Sequence, residues 1–243
     1  MILLATDLDG TFLGGETIYK KQLYDLIENR KDILLVFVTG RGLESVVSLL
    51  EDGLIPGPDY IICDVGATIL DGDTLENIQP LQSSIEEKWP GREVVINKLE
   101  NVKGLRLQPV PQTRRCSFFF DEHTDMTTLY ELVADLECDV LVSAGKFVDV
   151  LPKGVNKGST LKQLMQFLEI PEESILVAGD TLNDLSMYET GYKGVVVGKA
   201  EPALLEATLN KSHVYTAVDA GAGGIIEAME HFSEFRKFTA HVV

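Results

Sequence analysis

The sequence predicts an α/β protein built on a parallel sheet and interrupted by an inserted α+β module. Three observations carry that prediction. Continuous apolar runs of strand length recur, as in Ile2-Leu-Leu-Ala5, Ile33-Leu-Leu-Val-Phe-Val38 and Ser174-Ile-Leu-Val-Ala178, the pattern of strands covered on both faces. Helical, amphipathic stretches alternate with them, as right-handed crossovers between parallel strands require. From about Leu81 the alternation gives way to shorter, edge-type strands and brief helices, and it resumes after Pro152 and Gly154. A chain of 243 residues with 45% hydrophobic content can hold a core and a smaller module. The core is expected over 1–80 and 154–243, with the insert at 81–153.

Taken in order, the Ile2 strand ends at Asp7 and Asp9. Thr17 to Arg30 then forms a helix with Ile18, Leu23, Leu26 and Ile27 at helical spacing. The Ile33 strand ends in Thr39-Gly40-Arg41, before a helix carrying Leu43, Val46, Val47 and Leu50. Tyr60-Ile-Ile-Cys63 is a third strand, and Ala67 to Leu70 with Thr74 to Ile78 suggest a hairpin. In the insert, a helix is expected around Ser83 to Trp89 and strands at Leu105 to Gln108 and Cys116 to Phe120. A helix from Thr124 to Leu136 opens on a capping hydroxyl, and strands follow at Val140 to Val142 and Phe147 to Leu151. Lys157 to Leu168 is the next core helix, and the Ser174 strand runs into Gly179-Asp-Thr-Leu-Asn-Asp184. Gly194 to Val197, Pro202 to Leu209, Val214 to Thr216 and Gly224 to His231 complete the alternation, leaving the tail from Phe235 unassigned.

A formal charge of −17 argues against nucleic acid or an anionic membrane as partner, since both need clustered Lys and Arg. An anionic substrate would have to be drawn in by a few placed cations. Cys63, Cys116 and Cys138 are odd in number and far apart, which suits buried thiols in a reducing, cytoplasmic setting. His123, His213, His231 and His241 show no metal-ligand spacing. Asp7 and Asp9 break the first apolar run before it could serve as a signal segment, and no run is long enough to span a bilayer.

In an open parallel sheet, ligands gather at the carboxyl ends of strands. Those ends and the helix starts beside them offer Asp7 with Asp9, Thr39, Lys157, and Asp180 with Asp184. Each fragment alone has an ordinary structural reading: Asp-Gly and Thr-Gly as turns, Lys157 as a solvated helix-start lysine, Gly179-Asp180 as a cap. Together they supply the parts of phosphate ester hydrolysis. Asp7 would attack phosphorus, and Asp9 would give a proton to the leaving oxygen and later take one from water, best with its pKa raised by neighbouring carboxylates. Mg²⁺ would be held by Asp7, the Asp9 carbonyl and Asp180, with Asp184 orienting its waters. Lys157 and Thr39 would grip the phosphoryl oxygens.

Asp7-Leu-Asp-Gly-Thr11, Thr39-Gly-Arg41, Asn156-Lys-Gly158 and Gly179-Asp-Thr-Leu-Asn-Asp184 resemble the motifs of the haloacid dehalogenase (HAD) superfamily. Pro58-Asp-Tyr-Ile, Val65-Gly-Ala, Ser143-Ala-Gly-Lys-Phe-Val-Asp-Val-Leu-Pro152 and the closing Gly224 to Phe232 segment are similar to the sucrose-phosphatase group. The resemblance implies a Rossmann-like core with an inserted C2-type α+β cap. It implies Asp7 and Asp9 as catalytic residues, Thr39, Gly40, Lys157 and Asn183 as phosphate ligands, and Asp7, Asp9, Asp180 and Asp184 around Mg²⁺. Sucrose 6-phosphate is the implied substrate, with mannosylfructose phosphate or a broad set of sugar phosphates as alternatives. The group reads Gly-Asp-Ser-Gly-Asn-Asp where this chain has Thr181 and Leu182, a departure that bears on the substrate and not on the reaction. Recognition of the sugar falls to the insert, with Lys146 and Asp149 as candidates, and Arg41 either touches the sugar or caps its helix. Arg114 and Arg115 are weaker candidates, one expected to face solvent. A reading of another class is a non-catalytic partner of a glycosyltransferase; such an enzyme is also the partner expected to supply the substrate.

Overall fold

The computed structural model describes residues 1–111 and 113–239. Gln112 and the last four positions, His241 among them, lie outside the described residues. The chain opens with β1 (Ile2–Thr6), α1 (Thr17–Glu28), β2 (Ile33–Val38), α2 (Leu43–Glu51), β3 (Tyr60–Cys63) and β4 (Thr68–Asp71). It continues through α3 (Leu81–Glu86), α4 (Arg92–Leu99), β5 (Arg106–Leu107), β6 (Cys116–Phe119), α5 (Met126–Ala134), β7 (Cys138–Ser143) and β8 (Phe147–Pro152). The last third holds α6 (Lys157–Phe167), β9 (Ile175–Gly179), α7 (Leu185–Tyr188), β10 (Lys193–Gly198), α8 (Pro202–Thr208), β11 (Val214–Ala220), α9 (Ala222–His231) and α10 (Ser233–Thr239).

Among the described residues, one sheet has seven strands in the order β11-β10-β9-β1-β2-β3-β4. All its pairs are parallel except β3 with β4. The continuous apolar runs follow from burial on both faces. Leu4, Leu35 and Phe37 pack on one side with Leu23, Leu26 and Ile225, while Leu3, Ala5, Val36 and Val38 pack on the other with Leu161, Leu164 and Met187. The central position of β1, between β2 and β9, brings the ends of all three strands side by side. A second sheet, β5-β6-β8-β7, is antiparallel and has its own apolar cluster with α4 and α5, including Val95, Leu99, Leu129, Val133, Val148 and Val150.

Several local expectations need correction. The expected hairpin forms, with Leu70 bridging Asn77 and the Asp71 and Ile78 N–H groups donating to the Glu76 and Ile69 carbonyls, but β4 also pairs along its length with β3 as an antiparallel edge of the main sheet. The cap of α5 is Asp125, whose carboxylate accepts from the Thr128 N–H, and not Thr124. Ile18 is exposed, because α1 turns only Leu23, Leu26 and Ile27 fully inward. No helix of the described residues is long and apolar enough to cross a membrane, and the three cysteines are free and buried.

Candidate active site

Asp7 leaves β1 in extended conformation, its N–H bound to the Ala178 carbonyl of β9 at 2.9 Å. Buried Leu8 and Phe12 anchor the tight turn that follows, and Gly10 has φ 83°. Any Cβ at position 10 would sit on the Asp180 carboxylate, so only glycine lets the two loops close. Thr11 Oγ1 donates to Asp180 Oδ1 at 2.8 Å, completing the junction. Gly10→Ala is therefore expected to push Asp180 out of place. We predict at least a tenfold weaker Mg²⁺ response in thermal-shift titrations, on the roughly 10- to 100-fold scale of lost metal-site support; an unchanged response would count against a cation site here.

Lys157 begins α6, behind an Asn156 cap whose side chain accepts from the Ser159 N–H at 2.8 Å. Its side chain is 0% exposed. The ammonium donates to Asp7 Oδ1 at 2.6 Å, Asp184 Oδ1 at 2.5 Å and Asn183 Oδ1 at 2.9 Å. Gly158 permits this approach, since a Cβ there would meet the Ser186 carbonyl of α7. The other oxygen of Asp184 accepts the Asp180 and Thr181 N–H groups, each at 3.0 Å. One ammonium thus serves a cluster of three carboxylates: Asp7, Asp180 and Asp184 offer oxygens that all lie within 4.8 Å of one another.

The charges follow from that crowding. Burial raises the Asp7 carboxyl to about 8, with Asp184 and Asp180 adding repulsion and Lys157 opposing them. Burial and Asp184 likewise raise Asp180 to about 6. Burial alone would lower the Lys157 ammonium, but Asp184 and Asp7 outweigh it and hold it above its ordinary range. An all-oxygen donor set with unrelieved negative charge fits a hard divalent cation such as Mg²⁺. Asp184, with both oxygens already engaged, is better suited to act through water than as a direct ligand.

Asp9 departs from expectation. Its side chain is 62% exposed and is clamped by Arg41, with Nη2 to Oδ1 at 2.6 Å and Nε to Oδ2 at 2.8 Å. Those hydrogen bonds hold its carboxyl below the usual range, the reverse of the expected upward shift from carboxylate neighbours. Its carboxylate also stands outside the three-acid cluster, so a cation ligand from Asp9 would have to be its carbonyl. Thr39 is buried at the end of β2, where its hydroxyl accepts the Arg41 N–H at 3.1 Å. Gly40 faces the Asn183 amide.

A cavity of about 610 Å³ opens above these groups, within the size range of small-molecule sites. Asp7, Asp9, Gly40, Arg41 and Asn183 line one part, and residues of the second sheet and its loops, including Gln108, Ser143, Phe147 and Asp149, line another. Arg41 therefore faces the cavity, with its guanidinium bonded to Asp9 and Ser45. Lys146 does not: it is exposed on the β7–β8 turn with its ammonium 4.8 Å from the Phe147 ring centroid, outside the cavity lining. Asp149 does line the cavity, but it is bound by Arg115 and Ser117. Neither Arg114 nor Arg115 is a bare surface residue: Arg114 pairs with Glu86, and Arg115 is buried. Asp64 was not anticipated, although it ends the apolar strand Tyr60-Ile-Ile-Cys63 just as Asp7 and Asp180 end theirs. Thr11, the Asp180 partner, has a role that the spacing of Asp7-Leu-Asp-Gly-Thr11 does not reveal.

A parallel core with acids at adjoining strand ends, an antiparallel module beside the same cavity and a buried lysine are the arrangement of the HAD fold. Residues 1–233 match the model of the sucrose-6F-phosphate phosphohydrolase family, and the chain belongs to that family. It is 51% identical over 232 residues to a glucosylglycerol-phosphate synthase of Pseudomonas anguilliseptica, a match covering 95% of this chain but 31% of that protein. It is 29% identical over 240 residues to a mannosylfructose-phosphate phosphatase of Agrobacterium fabrum, covering 95% of this chain and 96% of that one. The sucrose-phosphatase of Synechocystis, solved in complex with sucrose and phosphate, superimposes with a TM-score of 0.83 at 30% identity, covering 95% of this chain and 97% of the other.

Proposed function

We propose that this chain is a Mg²⁺-dependent phosphatase of a phosphorylated glycoside, with glucosylglycerol phosphate as its substrate. The observation that carries the substrate is the 51% identity with a segment of a glucosylglycerol-phosphate synthase, against 29% and 30% with phosphatases of mannosylfructose phosphate and sucrose phosphate. A phosphatase segment within a protein that makes a phosphorylated glycoside has an evident use, the release of phosphate from that product. A glycosyltransferase would be the source of the substrate. Sucrose 6-phosphate is the second reading, favoured by the family model and the Synechocystis structure.

In this reading an Asp7 carboxylate oxygen attacks phosphorus, and the bond from phosphorus to the glycoside oxygen breaks. Asp9 protonates that oxygen as it leaves. Water then attacks phosphorus, Asp9 takes its proton, and the acyl phosphate bond breaks to return Asp7 and release inorganic phosphate. To act as acid Asp9 must be protonated and leave Arg41; clamped and ionised as in this structure, it is ready to act as base. Lys157, Thr39 and Asn183 hold the phosphoryl oxygens. Mg²⁺, held by Asp7, Asp180 and the Asp9 carbonyl with Asp184 behind them, would neutralise charge on the phosphoryl group. The module at 81–153 would supply sugar contacts and exclude water.

The test is phosphate release across a panel of esters. Glucosylglycerol phosphate should be turned over with kcat/KM at least tenfold above sucrose 6-phosphate and mannosylfructose phosphate, and chelation of Mg²⁺ should abolish turnover. Preference for sucrose 6-phosphate would install the second reading. No turnover of any ester would favour a non-catalytic binding role.

A further inference from the structure

A buried charged bridge fastens the second sheet to the turn after β3. Arg115, just before β6, sends Nε to Asp64 Oδ1 at 3.2 Å and Nη1 to Asp149 Oδ1 at 2.9 Å, and the side chains of all three residues are 8% exposed. Asp149 lies on β8 in register with Ser117, whose hydroxyl also donates to it. On the other side, Asp64 Oδ2 accepts from Thr68 Oγ1 at 2.8 Å. Arg114 reaches the same Thr68 hydroxyl at 3.4 Å.

Asp64 has φ 53°, a left-handed conformation that residues other than glycine seldom adopt, so its turn is held in place by its surroundings. Its backbone N–H donates to the Arg41 carbonyl at 2.8 Å, and the Val65 N–H donates to the Thr39 carbonyl at 3.1 Å. A continuous set of polar contacts therefore runs from Asp149 through Arg115 and Asp64 to the loop whose Arg41 clamps Asp9. Simple cohesion does not call for such a device, because apolar packing commonly replaces a buried ion pair at no loss of stability. This bridge is placed at the cavity wall, where Asp64, Arg115 and Asp149 all line the space above Asp7.

We infer that Arg115 is a positioning residue for phosphate ester hydrolysis: by joining Asp149 of the second sheet to Asp64, it fixes the Thr39–Arg41 loop and, through Arg41, the placing of Asp9 in its ionised, proton-accepting state. The inference rests on the reading of Asp9 as proton donor and acceptor. It is tested in the full chain with Arg115→Gln, Asp64→Asn and the double variant, on glucosylglycerol phosphate and on the small alkyl ester glycerol 2-phosphate. Each single change should lower kcat roughly 100-fold on both esters, the scale of a catalytic group displaced by about an ångström. KM should move little, and the double variant should be no worse than either single one, as expected of residues acting along one path. Arg115→Lys should not restore the rate, because a single ammonium nitrogen cannot stand at both the Nε and the Nη1 positions from which the guanidinium meets Asp64 and Asp149.

A rise in KM for the glycosyl ester alone would overturn the inference and make Arg115 a sugar ligand. A lower melting temperature with unchanged kcat would make the bridge a fold staple, and multiplicative losses in the double variant would deny the shared path. Amide hydrogen exchange gives a readout independent of turnover. Arg115→Gln should speed exchange over 39–45, and unchanged exchange there would overturn the inference. Should the unaltered protein hydrolyse no phosphate ester, the functional reading fails, while the exchange result still decides whether the bridge sets the loop.

Discussion

Asp7→Asn is expected to lower kcat by at least about 10⁴-fold while leaving the fold intact, since an amide cannot serve as the attacking oxygen. The stability arm of that experiment follows from the crowding at the strand ends. The Asp7 carboxyl is raised from 3.8 to about 8 by burial and by the neighbouring acids, so between these values the folded, metal-free protein keeps a proton that the unfolded chain gives up. Stability of the unaltered protein should therefore fall as pH rises through that window. The asparagine variant lacks this loss, and its advantage in melting temperature should grow from about pH 4 to about pH 8. Phosphate release and thermal melts across pH check both parts. Wild-type turnover in the variant would refute Asp7 as nucleophile.

Lys157→Met is expected to produce the largest fall in stability of any change at the site. Its ammonium is wholly buried and is the shared counter-charge of Asp7 and Asp184, at 2.6 and 2.5 Å. Removing one partner from such an arrangement costs about 3–5 kcal/mol, because the remaining charges stay buried without compensation. Urea unfolding of the metal-free protein should show that loss in full above about pH 8, where Asp7 is ionised, and a smaller one at lower pH, where Asp7 keeps its proton. Saturating Mg²⁺ should recover part of it by supplying a substitute cation among the acids. Turnover should still drop by about 10²- to 10³-fold, since a charge-stabilising donor on the phosphoryl oxygens is gone. A variant as stable as the unaltered protein would mean that the acids do not depend on this lysine.

Much of this was legible from the residues. β1, β2 and β9 announce themselves because strands buried on both faces must be apolar throughout, and the acids that end them stand out against that background. Helix α4 escaped notice because Arg92-Glu-Val-Val-Ile-Asn-Lys-Leu99 carries three β-branched residues in a row, a strand-like signal, while only Val95 and Leu99, four apart, are buried. The direction of the Asp9 shift could not be read either: the acids Asp7 and Asp9 are two positions apart, but the group that decides the charge of Asp9 is Arg41, 32 positions away. The same holds for Arg115 and Asp64, which are 51 positions apart and meet only because two separate sheets share one cavity wall. Pattern reading finds strand ends well; it does not find which ends face each other across a fold.

The short connection between β8 and α6 has a consequence for how such proteins can diverge. Asp149, on the wall of the sugar-sized cavity, and Lys157, beneath the phosphate end, are separated by the last turns of one strand and a single loop from Lys153 to Asn156. In the proposed reading, ligand choice is altered by exchanging the strands and helices upstream of that loop, whereas lengthening the loop itself would uncouple it from the chemistry. This connection is a ruler, and a transplanted module must arrive already cut to its measure.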